Sequence, residues 1–258
     1  MVPEGRKTAI ATIHRALDLG INYVDTAPGY GDGNGESIIG EVMRTRREEC
    51  LLATKVGWQG LDKAAVMGSV RASLGRLQTD HVDVVQIYGG MYSLEDYEHI
   101  TNGGPLDALR ELQQYGATHY IGLTVEEPWT ARPFLQSGAF DVVQLAYNLI
   151  YQSAAKHALE EARERGMGVV TMRTMTSGIF QRTVRFLAPE WQEARDVYEV
   201  CLKFVLSDPR VHAPIVGMRW PEEVEKNVRL AEEFEPLLDV AALPRLTAGI
   251  YEVEDAER

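Results

Sequence analysis

Short apolar runs alternate with helical spacing almost from end to end of this chain, and that alternation limits the folds open to it. The runs are Ile21–Val24, Leu51–Thr54, Val82–Ile87, Tyr120–Leu123, Val142–Leu145, Val169–Met172 and Ala213–Val216. Each is too short to be a buried helix, and most lack the polar alternation of a half-exposed strand. Between them lie segments of helical spacing: Glu36–Met43, Leu106–Tyr115, Pro128–Gln136, Ala154–Arg165, Glu193–Ser207 and Pro221–Glu233. A further helix follows Asp62, a credible N-cap, with Val66, Val70, Leu74 and Leu77 as its apolar stripe. Apolar strands separated by helices predict a parallel sheet covered on both faces.

The count is seven strand–helix units behind one lone helix, Lys7–Leu19. Eight units would close a (β/α)8 barrel of the TIM type, so the expectation is an α/β barrel apparently lacking its first strand. No Gly-, Ser- or Pro-rich linker divides the 258 residues, which predicts one domain over 1–258. A barrel without one strand exposes two parallel edges. Another segment or a second chain is expected to cover them, so a homo-oligomer is among the expectations.

Composition mainly excludes. Asp and Glu outnumber Lys and Arg by 38 to 26, and the net charge of −12 argues against nucleic acid or an anionic membrane as the main partner. No apolar stretch approaches the roughly 20 residues of a membrane span. The first residues lack the apolar core of a secretion signal. Two isolated cysteines, Cys50 and Cys201, predict reduced thiols and a cytoplasmic protein. The six histidines have no ligand-like spacing, so no metal site is expected.

Ionisable residues stand at the ends of the strands, where a parallel barrel builds its active site. Asp25 ends the first run, in I-N-Y-V-D-T-A-P-G-Y-G; Tyr30 follows in the Gly-rich loop; Lys55 ends the second run, L-L-A-T-K. A buried Lys needs a counter-charge, and a Tyr near its ammonium feels a cationic field. On that reasoning Tyr30 should have a lowered pKa and act as a proton donor to a carbonyl. Tyr88 ends the third run.

D-T-A-P-G-Y-G at 25–31 followed by T-K at 54–55 resembles the aldo-keto reductase family, and further landmarks agree in order. They are I-G-L-T at 121–124, Q-L-A-Y-N at 144–148, M-T-S-G at 175–178 and I-V-G-M-R-W-P-E-E-V-E-K-N at 215–227. The resemblance runs from residue 7 to about residue 232. It implies that Asp25, Tyr30 and Lys55 are three members of a catalytic tetrad. The fourth is usually His, and Tyr88 stands in its place.

The same resemblance implies a nicotinamide cofactor, NADP(H) more than NAD(H). Thr124 replaces a Ser that contacts the cofactor, Gln144 is kept, and Met172 replaces a ring that stacks on nicotinamide. Val125 replaces an Asn, which removes one polar contact. Gly217, Arg219 and Asn227 suit phosphate and adenine at the start of the last helix, with Arg219 as the 2′-phosphate partner. Glu223 stands where relatives carry Arg or Gln. Trp58 and Tyr92 are expected to line the substrate pocket, and residues 179–193 to form a loop that shapes it. The leading expectation is reduction of an aldehyde or ketone, or its reverse. The alternative is a non-redox or cofactor-sensing descendant of the same barrel.

Overall fold

A computed structural model of the chain describes residues 3–190 and 196–235, with the side chains of residues 3 and 4 left aside. Seven strands form one parallel sheet in sequence order: β1 Tyr23–Asp25, β2 Leu51–Val56, β3 Val82–Tyr88, β4 Thr118–Val125, β5 Val142–Ala146, β6 Gly168–Met172 and β7 Ala213–Pro214. The helices are α1 Pro3–Asp18, α2 Asn34–Arg46, α3 Lys63–Leu77, α4 Leu94–Asn102, α5 Pro105–Gln114, α6 Arg132–Ser137, α7 Ala158–Glu164, α8 Ile179–Leu187, α9 Val197–Leu206 and α10 Pro221–Glu232.

The sheet curls into a nearly closed (β/α)8-type barrel. Among the described residues no ladder joins β7 to β1. α1 packs on α10 and α2, so the helical layer continues across the interval where the sheet does not. At the N-terminal strand ends a cavity of about 570 Å³ opens, lined among others by Tyr23, Leu51, Val84, Tyr120, Val142 and Ala213.

The apolar layer between sheet and helices is the core, including Val66, Val70 and Leu77 of α3 and Val85 and Ile87 of β3. Within each strand alternate residues turn into the lumen, because side chains alternate across a strand. Val84, Gln86 and Tyr88 of β3 therefore share one side, as do Tyr120, Gly122 and Thr124 of β4, and the two sets lie in register.

Local sequence explains most helix starts. Asp62 caps α3 by accepting from the Ala65 N–H at 2.8 Å, and Asp196 caps α9 through the N–H groups of Tyr198 and Glu199. Ser93 and Asp96 form a capping box for α4, a helix the periodicity did not reveal since only Ile100 in it is buried. Residues 179–187 form α8, not the loop expected. Its ladder begins after Gly178, and Gln181 and Val184 are buried beneath it. Residues 193–195 and the tail after 235 lie outside the described residues.

Candidate active site

Asp25 is the last residue of β1 and Lys55 the penultimate residue of β2, and both point into the lumen. Lys55 Nζ donates to Asp25 Oδ2 at 2.6 Å and to the Thr26 carbonyl at 2.9 Å. Both side chains are almost wholly buried, at 2 % and 4 % exposure. Gln86 Nε2 donates to the other carboxylate oxygen at 3.1 Å. The pair is therefore desolvated but fully partnered, the condition under which a buried ion pair persists. Burial pushes the Asp25 carboxyl up, and Lys55, Gln86 and Gln144 oppose it.

Two phenols flank the ammonium. Lys55 Nζ lies 4.9 Å from the centre of the Tyr30 ring and 5.9 Å from that of Tyr88. Both rings are a little under half exposed, so they form the rim of the mouth above the buried pair. The two phenols thus share the rim on either side of one ammonium.

The expected lowering of the Tyr30 pKa does not occur. Burial raises it and the charge of Asp25 raises it further, while only the hydrogen bond from Tyr88 lowers it. Burial is the first reason, and the phenol meets Lys55 already paired with Asp25 at contact distance, not a lone cation that would offset it. Tyr88 is raised too, by burial and then by Tyr30, with Lys55 opposing.

Gln86 was not singled out in the sequence. It could have been found as a polar residue two positions before Tyr88, hence on the same strand face, which otherwise carries Val82 and Val84. Its space is made by Gly122 in register across the ladder, where a Cβ would come within 2.7 Å of Gln86 Cγ. The buried Oε1 atoms of Gln86 and Gln144 have no partner.

The structure redistributes the remaining expected residues. Thr124, expected to meet cofactor, is fully buried, and its hydroxyl donates to the Gly89 carbonyl and accepts from the Gly89 N–H, each at 3.1 Å. Trp58 and Tyr92, expected as pocket walls, are packed in the apolar layer instead. Their rings lie 5.7 Å apart, with Phe134 4.8 Å from Tyr92. α4 and α6 bring apolar groups over them, and burial of ring area outweighs exposure at the mouth. Met172 ends β6 beside Ala146 and is half-buried.

Gly217 and Arg219 are exposed between β7 and α10, and Asn227 is half-buried two turns into that helix. Glu223 Oε2 accepts from the Arg219 N–H at 2.6 Å, so a carboxylate already occupies one donor at this helix start. Across the mouth, Arg173 after β6 is paired with Glu126 after β4 at 2.6 Å. Arg173, Thr176 and Ser177 all have left-handed backbone, with φ of 58°, 54° and 51°.

A phenol donor, a second phenol and a buried Lys–Asp pair at the C-terminal mouth of a parallel barrel define a site for protonating an oxygen. The model of the Aldo/keto reductase family matches residues 4–240. An uncharacterised oxidoreductase of Bacillus subtilis is 26% identical, covering 88% of this chain and 83% of its own. The holo form of an aldo-keto reductase from Bacillus halodurans superposes with a TM-score of 0.77 at 26% identity, covering 92% of this chain and 86% of its own. An aldo/keto reductase from Klebsiella pneumoniae, solved in complex with NADP and acetate, shares the fold with a TM-score of 0.76 at 22% identity, over 95% of this chain and 86% of its own. The chain belongs to the aldo/keto reductase family and is an NAD(P)H-dependent oxidoreductase. Among the described residues, no helix is long and apolar enough to cross a membrane, and no three His, Cys, Asp or Glu side chains are grouped to hold a metal.

Proposed function

We propose that the protein reduces a small or medium aldehyde or ketone to the alcohol, or runs the reverse, with NADP(H) in preference to NAD(H). The observation that carries this reading is the Tyr30 phenol, half-exposed beside the buried Lys55–Asp25 pair. Tyr30 gives its proton to the carbonyl oxygen because, of the two phenols, its ring lies nearer the ammonium and opens on the mouth. Lys55 stabilises the phenolate that remains, and Asp25 with Gln86 holds Lys55 in place. Tyr88, on the same rim, serves as an auxiliary donor to substrate.

The residues present fit a nicotinamide nucleotide. The orphaned Gln144 Oε1 is a buried acceptor of the kind a carboxamide satisfies. Arg219, Gly217 and Asn227 are the groups for phosphate and adenine, Arg219 through the planar guanidinium that suits a 2′-phosphate, and Met172 is a thioether surface for the ring. Glu223 works against a second anion and moderates the preference for NADP(H). When bound, the cofactor supplies hydride. The Klebsiella pneumoniae reductase of the same fold binds NADP, which supports the reading. Two buried free thiols, Cys50 and Cys201, suit a reducing compartment such as the cytoplasm.

A non-redox reading is favoured by two observations: the Thr124 hydroxyl is spent on Gly89, and Val125 is fully buried. Titration of NADPH fluorescence with the purified protein, followed by turnover of a reactive aldehyde, separates the two. Binding with turnover supports the reductase. Binding without turnover supports a sensor, and no binding removes the reductase and the sensor and leaves a non-redox role that does not use this cofactor.

A further inference from the structure

Tyr88 has an exposed ring on a buried root. The residue is 45 % exposed, with the Lys55 ammonium 5.9 Å from the ring centre. The residue after it is gripped from three sides. Thr124 Oγ1 holds both the N–H and the carbonyl of Gly89 at 3.1 Å, fixing the peptide units on either side of that Cα. The Tyr92 hydroxyl donates to the Thr124 carbonyl at 3.0 Å and reaches toward the Ile87 carbonyl at 3.5 Å. Tyr92 lies so close beneath Gly89 that a Cβ there would stand 2.3 Å from its hydroxyl oxygen, so only glycine fits. Thr124 is fully buried and Tyr92 is 5 % exposed. A closed set of buried hydrogen bonds thus ends on the one backbone segment that aims Tyr88.

We propose that Thr124 and Tyr92 are positioning residues that act through Gly89 to hold the Tyr88 phenol at the mouth beside Lys55, and that Thr124 is not a cofactor contact. This rests on the reductase reading of the mouth. The logic is one of preorganisation: an exposed phenol samples several rotamers unless its backbone is fixed, and a donor that wanders does not assist a proton transfer. Thr124 supplies a bifunctional hydroxyl where Val, of the same shape, supplies none.

The test compares wild type, Thr124→Val, Thr124→Ser and Tyr92→Phe, each also in a Tyr88→Phe background. Steady-state reduction of a reactive aldehyde and NADPH affinity by fluorescence are measured for all. Thr124→Val is expected to lower kcat/KM by about 2- to 10-fold, the range for losing one or two buried hydrogen bonds. NADPH affinity should stay within twofold, and Thr124→Ser should restore the rate. In the Tyr88→Phe background the same substitution should cost nothing further, which a merely structural role would not produce. Tyr92→Phe should act in the same direction and with the same dependence on Tyr88.

A second readout does not need turnover. With 3-fluorotyrosine in place of Tyr88, the fluorine resonance should be single and sharp in wild type, broadened or doubled in Thr124→Val, and sharp again in Thr124→Ser. Additive losses, weakened NADPH binding in Thr124→Val or an unchanged fluorine resonance would each overturn the proposal. If wild type binds no NADPH, the reductase reading falls, and the fluorine experiment still decides whether the clamp positions Tyr88.

Discussion

Lys55 Nζ lies 4.9 Å from the centre of the Tyr30 ring while its own charge is committed to Asp25 at 2.6 Å. On the proposed reading, the ammonium stabilises a phenolate formed during reaction without drawing the proton off beforehand. Tyr30 stays protonated in the resting protein, as a donor to a carbonyl must be.

Replacing Tyr30 by Phe keeps the ring and removes the proton. Turnover of a reactive aldehyde should fall on the order of 10²–10⁴, the usual worth of a positioned acid, while NADPH affinity is nearly unchanged. Equal kcat in wild type and variant would take Tyr30 out of the mechanism.

The pH profile follows from the raised Tyr30 pKa. The folded value lies above the ordinary 10.0, so reduction should hold level through neutral pH and lose its proton donor only above about pH 10. Stability linked to this group is present in full below pH 10 and drains away as pH rises through the folded value. Buried Tyr23 and Tyr92, both pushed up strongly, should add to alkaline unfolding in the same direction. A basic limb between pH 7 and 9 that disappears in Tyr30→Phe would contradict the assignment.

Tyr88 should prove auxiliary. Tyr88→Phe is expected to lower the rate less than Tyr30→Phe does. Tyr88→His should raise it, because an imidazole titrates near neutrality and a phenol does not. All three variants need the same aldehyde and saturating NADPH; a His variant slower than wild type would mean the second phenol is itself the better group.

Arg219 is exposed at the start of α10. Arg219→Ala should weaken NADPH binding about tenfold or more, the scale of a charge-assisted contact, and leave NADH within about twofold. Equal losses for both nucleotides would assign Arg219 to something other than the 2′-phosphate.

A structural prediction tests the fold away from the mouth. Glu36 is fully buried and accepts from Arg76 Nε at 2.7 Å and Thr54 Oγ1 at 2.6 Å. Arg76→Ala should cost roughly 3 kcal/mol, the low end for an orphaned buried charge, since Arg76 is one-third exposed. Urea denaturation reads it, and replacing Arg76 and Glu36 together by Leu should recover much of the loss.

The strands were legible because each is a short apolar run bounded by a turn or helix, and a buried parallel strand needs little else. Asp25, Tyr30, Lys55 and Tyr88 were legible because their place at strand ends follows from the same pattern. What could not be read was which way a hydroxyl spends itself. Thr124 lies in a landmark that points to cofactor, yet its partner is a backbone 35 residues earlier, brought beside it by ladder register. The Tyr30 pKa was misjudged for a similar cause: sequence placed a cation near the phenol but could not show how closely Asp25 cancels it.

Among the described residues β1 has three residues paired on one side only, and Asp25 is the last of them. Backbone amides on such a margin should exchange with solvent sooner than those of β3 or β4, each paired on both sides. The contact from Lys55 ties this margin to β2 by a side chain as well as by the ladder. Any excursion that frees β1 must also break the ion pair under Tyr30. The lifetime of the assembled mouth is thus set by fraying at the rim of the sheet, and on warming catalysis should fade before the bulk of the barrel melts.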